Sequence, residues 1–127
     1  MALAWFIAVC VASAIVFIVL ALGLVESDST IAERLEMSAI ALGFFAGGLF
    51  AGLRAREAPI LHGIGIALFS MVVWFVFNVL STLLFPSSEW VALTPNFTLA
   101  LMLVQIGAAV LGARWGYRTA TRGTRAA

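Results

Sequence analysis

Three uncharged polar side chains, Ser70, Asn78 and Gln105, stand inside long apolar runs. In hydrocarbon an unpaired amide or hydroxyl has no water to bond, so such groups either link helices or face a solute. Ser70 and Asn78 belong to a stripe of small or polar residues, Gly63, Ala67, Ser70, Trp74, Asn78 and Ser81, whose mean spacing marks one face of a helix. Gln105 precedes Ala108 by three positions and Gly112 by seven, which puts it on the small-residue face of a later helix. Helical rise sets Asn78 about 10 Å and Gln105 about 12 Å below the same end of the bundle, so a hydrogen bond between the two amides is expected. A pair turned toward a solute is the other reading of these residues.

A second set of candidates is basic. Arg54, Arg56 and the only histidine, His62, cluster around one turn. Histidine can carry a proton near neutral pH, but a lone interfacial histidine beside arginines is ordinarily solvated or capping. Carboxylates inside the runs would speak for proton or sodium antiport, yet Glu36 and Glu57 both lie at run ends. Ser13, Ser38, Ser70 and Ser81 have no base at their own depth, which argues against intramembrane hydrolysis. Cys10 is the single cysteine, leaving neither an intrachain disulfide nor a thiolate cluster. A non-enzymatic protein without catalytic, cofactor-binding or metal residues is therefore expected.

The elements that carry these residues are four apolar runs, Leu3 to Val25, Leu35 to Leu53, Ile60 to Phe85 and Phe97 to Trp115. Each approaches or exceeds the roughly 20 residues that a helix needs to cross a hydrocarbon layer about 30 Å thick. With 64% hydrophobic and 10% charged residues in 127, nearly the whole chain belongs to one membrane domain. The expected fold is an all-α membrane protein of four transmembrane helices, near 3–25, 31–53, 59–85 and 95–116, followed by an arginine-rich tail over 117–127.

Charge distribution orients the bundle. Arg54, Arg56, Arg114, Arg118, Arg122 and Arg125 fall on one side, and only Arg34 on the other. The positive-inside bias makes the first side cytoplasmic, with both termini there and the protein in a bacterial cytoplasmic (inner) membrane. The tail reads as a topology anchor that also attracts anionic lipid, and no nucleic-acid partner is expected. Ala12-Ser13-Ala14 has the small-x-small form of a signal cleavage site. However, no basic residue precedes the first run and the run continues well past that site, so retention is expected.

Local signals refine the ends. Thr30 with Glu33 forms a capping-box pattern before a helix near Ile31. Pro59 suits the first turn of the third helix, and the short link before it makes helices two and three antiparallel neighbours. Thr94-Pro95 supplies a cap and first-turn proline for the fourth helix. Trp5, Trp115 and Tyr117 at one interface and Trp90 at the other complete an aromatic belt, while Trp74 lies mid-membrane.

Small residues recur at packing intervals. Ala39, Gly43, Gly47 and Ala51 repeat every four positions, with Gly48 and Gly52 on an adjacent face. The fourth helix carries Ala108, Gly112 and Gly116, with Ala109 and Ala113 beside them. Lipid provides no hydrophobic drive for helix association, so close backbone approach along such seams supplies the attraction. At an offset of 60, Gly47 to Arg54 matches Gly107 to Arg114 at both glycines and the arginine. Two readings stay open here: a parallel repeat of two helical hairpins, or small residues recurring in any packed helix.

The stretch Gly43 to Arg56, followed by Leu61-His62-Gly63, resembles the YrzE-like family of small bacterial four-span membrane proteins, with its glycine-rich second helix, basic turn and His-Gly opening the third helix. That resemblance implies a four-helix membrane protein and brings no established activity. It adds weight to His62 and Gly63. Fluoride channels also have a glycine-rich motif ending in arginine, but theirs opens the chain. Small multidrug transporters carry a glutamate in the first helix, and none is present here.

The expected function is that of an accessory, assembly or envelope component packed through glycine and alanine seams. Its partners would be the lipid bilayer and a second copy or another membrane subunit. The alternative is a small channel or transporter with a polar pathway between helices three and four. Four helices enclose little room for water, so that alternative requires oligomerisation.

Overall fold

A computed structural model describes residues 2–25, 30–55, 57–85 and 95–125. Within them the chain forms α1 (Ala2–Ala21), α2 (Thr30–Arg54), α3 (Pro59–Leu84) and α4 (Pro95–Arg125). All four are long and apolar enough to cross a membrane, which makes this a multi-pass helical bundle. Trp90, Thr94, Arg56 and residues 26–29 lie outside the described residues, as do the expectations placed on them.

Six helix boundaries differ from the expected ones, four by a single residue and two, the ends of α1 and α4, by more. The first helix stops at Ala21 rather than running to Val25. Gly23 adopts φ +66°, the Gly23 N–H donates to the Leu20 carbonyl at 3.0 Å, and the Leu24 N–H donates to the Val19 carbonyl at 3.3 Å. These are the two bonds of a Schellman cap, which ends a helix whatever the hydropathy beyond it. At the start of α2, Thr30 is itself helical, one position ahead of the expected Ile31.

The expected tail is not a tail, because α4 continues through Tyr117 to Arg125. Its threonines bond back to the helix: Thr119 to the Gly116 carbonyl at 2.8 Å and Thr121 to that of Tyr117 at 3.0 Å. At 31 residues α4 is about 46 Å long, well beyond the hydrocarbon thickness. Its arginines therefore extend on a rigid rod past the apolar layer.

α2 is the hub. Gly43 and Gly47 press against the backbone of α1 at Ala8 and Ala4, while Gly48 and Gly52 press against α4 at Ala109 and Ala113. On the other side of the same interface, Gly112 and Gly116 of α4 meet the carbonyls of Phe45 and Leu49. In all six cases a Cβ on the glycine would overlap a carbonyl oxygen of the neighbouring helix. This geometry directs a Cα–H at the carbonyl, a weak contact contributing about 0.5–1 kcal/mol. Residue numbers fall along α1 as they rise along α2, so that pair is antiparallel. They rise together along α2 and α4, so that pair is parallel.

α3 is held differently. It packs mainly on α4 and only lightly on α2, its neighbour in sequence, with Gly63 against the backbone of Val110 and Ala109. Its buried residues are confined to Gly63, Ile66 and Ala67. Among the described residues, none from 68 to 84 and none from 96 to 104 is buried. No described residue in the far half of the second hairpin is thus fully enclosed by its neighbours.

The 60-residue offset has a counterpart in three dimensions. Gly63 meets Val110, and the equivalent residues Leu3 and Phe50 line a common cleft. The two hairpins therefore cross at the same register near the arginine-bearing end. The relation between α2 and α4 is less exact. Contact separations are 61 for Gly48–Ala109 and Gly52–Ala113, and 67 for Phe45–Gly112 and Leu49–Gly116. These centre about four residues past a strict two-fold, or about 6 Å of helical rise.

The aromatic residues divide. Trp115 is exposed and meets Phe45 edge-on at 6.1 Å, as a belt residue can. Trp5 turns inward instead of joining the belt, its ring edge-to-face with Phe69 at 5.5 Å. Its Nε1–H is buried with no hydrogen-bond partner among the described residues. Ala4 beside it is on the α1 face that α2 covers, and this draws the indole toward the core.

Candidate functional site

Two concavities gather the candidate residues, one between α3 and α4 and one at the arginine-bearing end. The first is a groove of about 390 Å³ lined by Ser70, Met71, Val72, Trp74, Phe75, Thr98, Leu101, Met102 and Gln105. Thr98, Leu101, Met102 and Gln105 share one face of α4, and that face continues into the seam at Ala109, Gly112, Ala113 and Gly116. Gln105 lies where the seam stops and the groove begins. On α3 the groove follows the stripe Gly63, Ala67, Ser70 and Trp74 past the point where Gly63 touches α4.

The second pair of helices does not repeat the seam of the first. Shifted by 60, the residues that close α1 on α2, namely Ala8, Ala12 and Gly43, become Leu68, Val72 and Leu103. Leu68, Val72 and Leu103 are exposed, and Gly107, the counterpart of Gly47, has open space where its Cβ would stand. These counterparts are turned away from the α3–α4 contact, which runs through Gly63, Ala109 and Val110 instead.

The expected hydrogen bond between Asn78 and Gln105 is not formed. The Asn78 Nδ2 donates at 2.8 Å to the Trp74 carbonyl of its own helix, and Asn78 is not among the groove-lining residues. An amide that reaches the carbonyl one turn earlier satisfies a donor without any neighbouring helix. Gln105 is only 9% exposed, and its side chain makes no hydrogen bond to any other described residue. Ser70, half-buried on the opposite wall, is likewise unpaired among the described residues. A buried amide without a partner costs about 1–3 kcal/mol by mutational measures.

The second concavity is a cleft of about 250 Å³ lined by Leu3, Ala4, Phe50, Ala51, Arg54, Ala55, His62 and Ile66. The Arg54 guanidinium lies over the Phe50 ring at 4.6 Å, a cation–π contact. The His62 Nδ1–H donates to the Ala58 carbonyl at 3.0 Å, since a carbonyl can only accept. Its Nε2 is left to whatever enters the cleft. Ala58 itself sits at φ 50°, ψ 57°, a left-handed conformation costing a residue with a Cβ about 1–2 kcal/mol. Arg54 and His62 can together attract an anionic headgroup, and Arg56 lies outside the described residues. Among the described residues no three His, Cys, Asp or Glu side chains come together as a metal site.

Of the expected packing residues, Gly43, Gly47, Gly48, Gly52, Gly63, Gly112 and Gly116 are buried at helix contacts. Ala108 is half-buried and packs against the core at the edge of the seam, while Ala109 and Ala113 beside it are fully covered. The sequence reading missed the α1 side of the first seam, Ala4, Ala8 and Ala12. Their four-residue spacing was the available signal.

No family model, curated protein or solved structure matches the chain. The likeness to YrzE-like proteins rests on the residues quoted for it.

Proposed function

We propose that the protein is a non-enzymatic accessory or assembly component of a bacterial cytoplasmic membrane, with both termini in the cytoplasm, that completes its packing against another helix within the bilayer. The observation supporting this reading is the contrast in α3: Gly63, Ile66 and Ala67 are buried, yet nothing from 68 to 84 is. One face of that half presents Val72, Val76, Phe77 and Leu80, each more than half exposed. A partner helix from a second copy or another membrane subunit would gain dispersion contacts there. The orientation is inferred from the arginines.

The channel or transporter alternative has less support. The groove between α3 and α4 is walled mainly by apolar side chains, and conduction needs polar groups or water along a route. A photocrosslinking residue at Phe77 in native membranes tests the proposal, with Leu111 on α4 as the control. A discrete protein adduct from Phe77 alone is expected. Adducts with lipid only, or ion flux from the purified protein in liposomes, would overturn it. Reporter fusions to the two termini check the orientation.

A further inference from the structure

We propose that the groove between α3 and α4 binds a lipid-soluble, planar conjugated dione of the quinone class, held by Gln105 and Ser70. The inference is independent of the partner reading above. It starts from two polar side chains on facing walls of one groove, neither bonded to any other described residue, one of them nine-tenths buried. A molecule that offers a hydrogen-bonding oxygen would satisfy both. The Gln105 Nε2–H and the Ser70 Oγ–H are the donors, and a carbonyl on each side of a ring is the matching acceptor set.

Depth narrows the chemistry. Gln105 is ten residues into α4 and Ser70 fourteen residues from the far end of α3. By helical rise both are about 15–21 Å from that end, close to the centre of a hydrocarbon layer about 30 Å thick. A phospholipid has only methylene groups there, with its ester carbonyls at the interface. The polar oxygen must come from a compound dissolved in the layer itself.

Size and lining complete the argument. The groove has a volume of about 390 Å³. It lies within the range of small-molecule sites. Trp74 and Phe75 offer aromatic faces for a flat ring, and Met71 and Met102 supply adaptable, polarizable walls. The groove opens sideways, so an isoprenoid or alkyl tail can remain in the bilayer.

The test uses the full chain in lipid nanodiscs, with Trp5, Trp90 and Trp115 changed to Phe so that Trp74 alone reports. Decyl-benzoquinone is titrated against decylbenzene, which has the same tail and ring but no carbonyls. The expected result is saturable quenching of Trp74 by the quinone, and protection from thermal unfolding by the quinone but not the hydrocarbon. Gln105→Leu should weaken quinone binding about tenfold while leaving the protein at least as stable without ligand. Met102→Phe, which fills the groove and keeps both polar groups, should also reduce binding. Equal protection by the hydrocarbon would overturn the proposal, as would quenching that never saturates or is unchanged in both variants.

Discussion

The two hairpins occupy equivalent places in sequence and end at matching arginines, yet one is closed and the other half open. In the first, Gly43 and Gly47 bring α2 onto the backbone of Ala4 and Ala8. In the second, Leu103 replaces the glycine at the first position, and Gly107, retained at the second, touches nothing. A small residue therefore makes a seam only when its face is turned toward another helix. Gly107 has the right spacing on its own helix but lies on the side away from Gln105 and the groove, where no described residue covers it.

The sharpest way to break this comparison is to make the same change at the paired glycines. Gly47→Leu should destabilise the protein by at least about 3 kcal/mol, the upper end of ordinary overpacking, because its side chain would enter the α1 backbone. Gly107→Leu should be neutral or stabilising by up to about 1 kcal/mol, since it meets open space and leucine favours helix. Reversible unfolding of both variants in one detergent checks the pair. Equal losses would mean the second hairpin is closed after all.

A comparable effect is expected at Gly43, where leucine imposes the residue found at the equivalent position of α4 and a Cβ would overlap the Ala8 carbonyl. Gly43→Leu should cost about 3 kcal/mol and loosen α1 from α2, read as faster hydrogen exchange in α1 with α4 unaffected. Ala58→Gly should stabilise the protein by about 1 kcal/mol, because glycine accepts the left-handed backbone that opens α3. The same unfolding measurement would show it.

The least change is expected at Asn78. Its amide bonds only to the Trp74 carbonyl, so Asn78→Leu should shift stability by less than about 0.6 kcal/mol, the average even for interhelical bonds. A loss several times larger would show that this amide does link helices.

Much of the bundle could be read along the chain, because each signal involved lies within one segment. Four runs of the required length give four spans. The glycines of α2 mark contact faces by their spacing, and Arg54 and Arg114 mark a shared end. The Schellman cap at Gly23 was less visible, since the apolar run continues to Val25 and hydropathy does not register a left-handed glycine. The helical extension through Arg125 was hidden by charge, although its threonines could satisfy themselves within the helix.

At the candidate site the sequence identified the residues and mistook their relations. Ser70 and Gln105 do share a groove, but Asn78 turns to its own helix, and equal depth could not reveal that. Equal distance from a bundle end sets height alone; rotation about each axis and the separation of the axes decide whether two side chains meet.

Composition and run length alone determined that this is a helical protein suited to cross a membrane four times, because the hydrocarbon thickness sets how many apolar residues a span requires. Only the tertiary structure decided that α2 serves two partners through opposite glycine faces, that α3 leaves the bundle after Ala67, and that Gln105 is left unpaired in the resulting groove. The reason is geometric: contacts depend on which faces of two helices are turned toward each other, and neither segment carries that relation by itself.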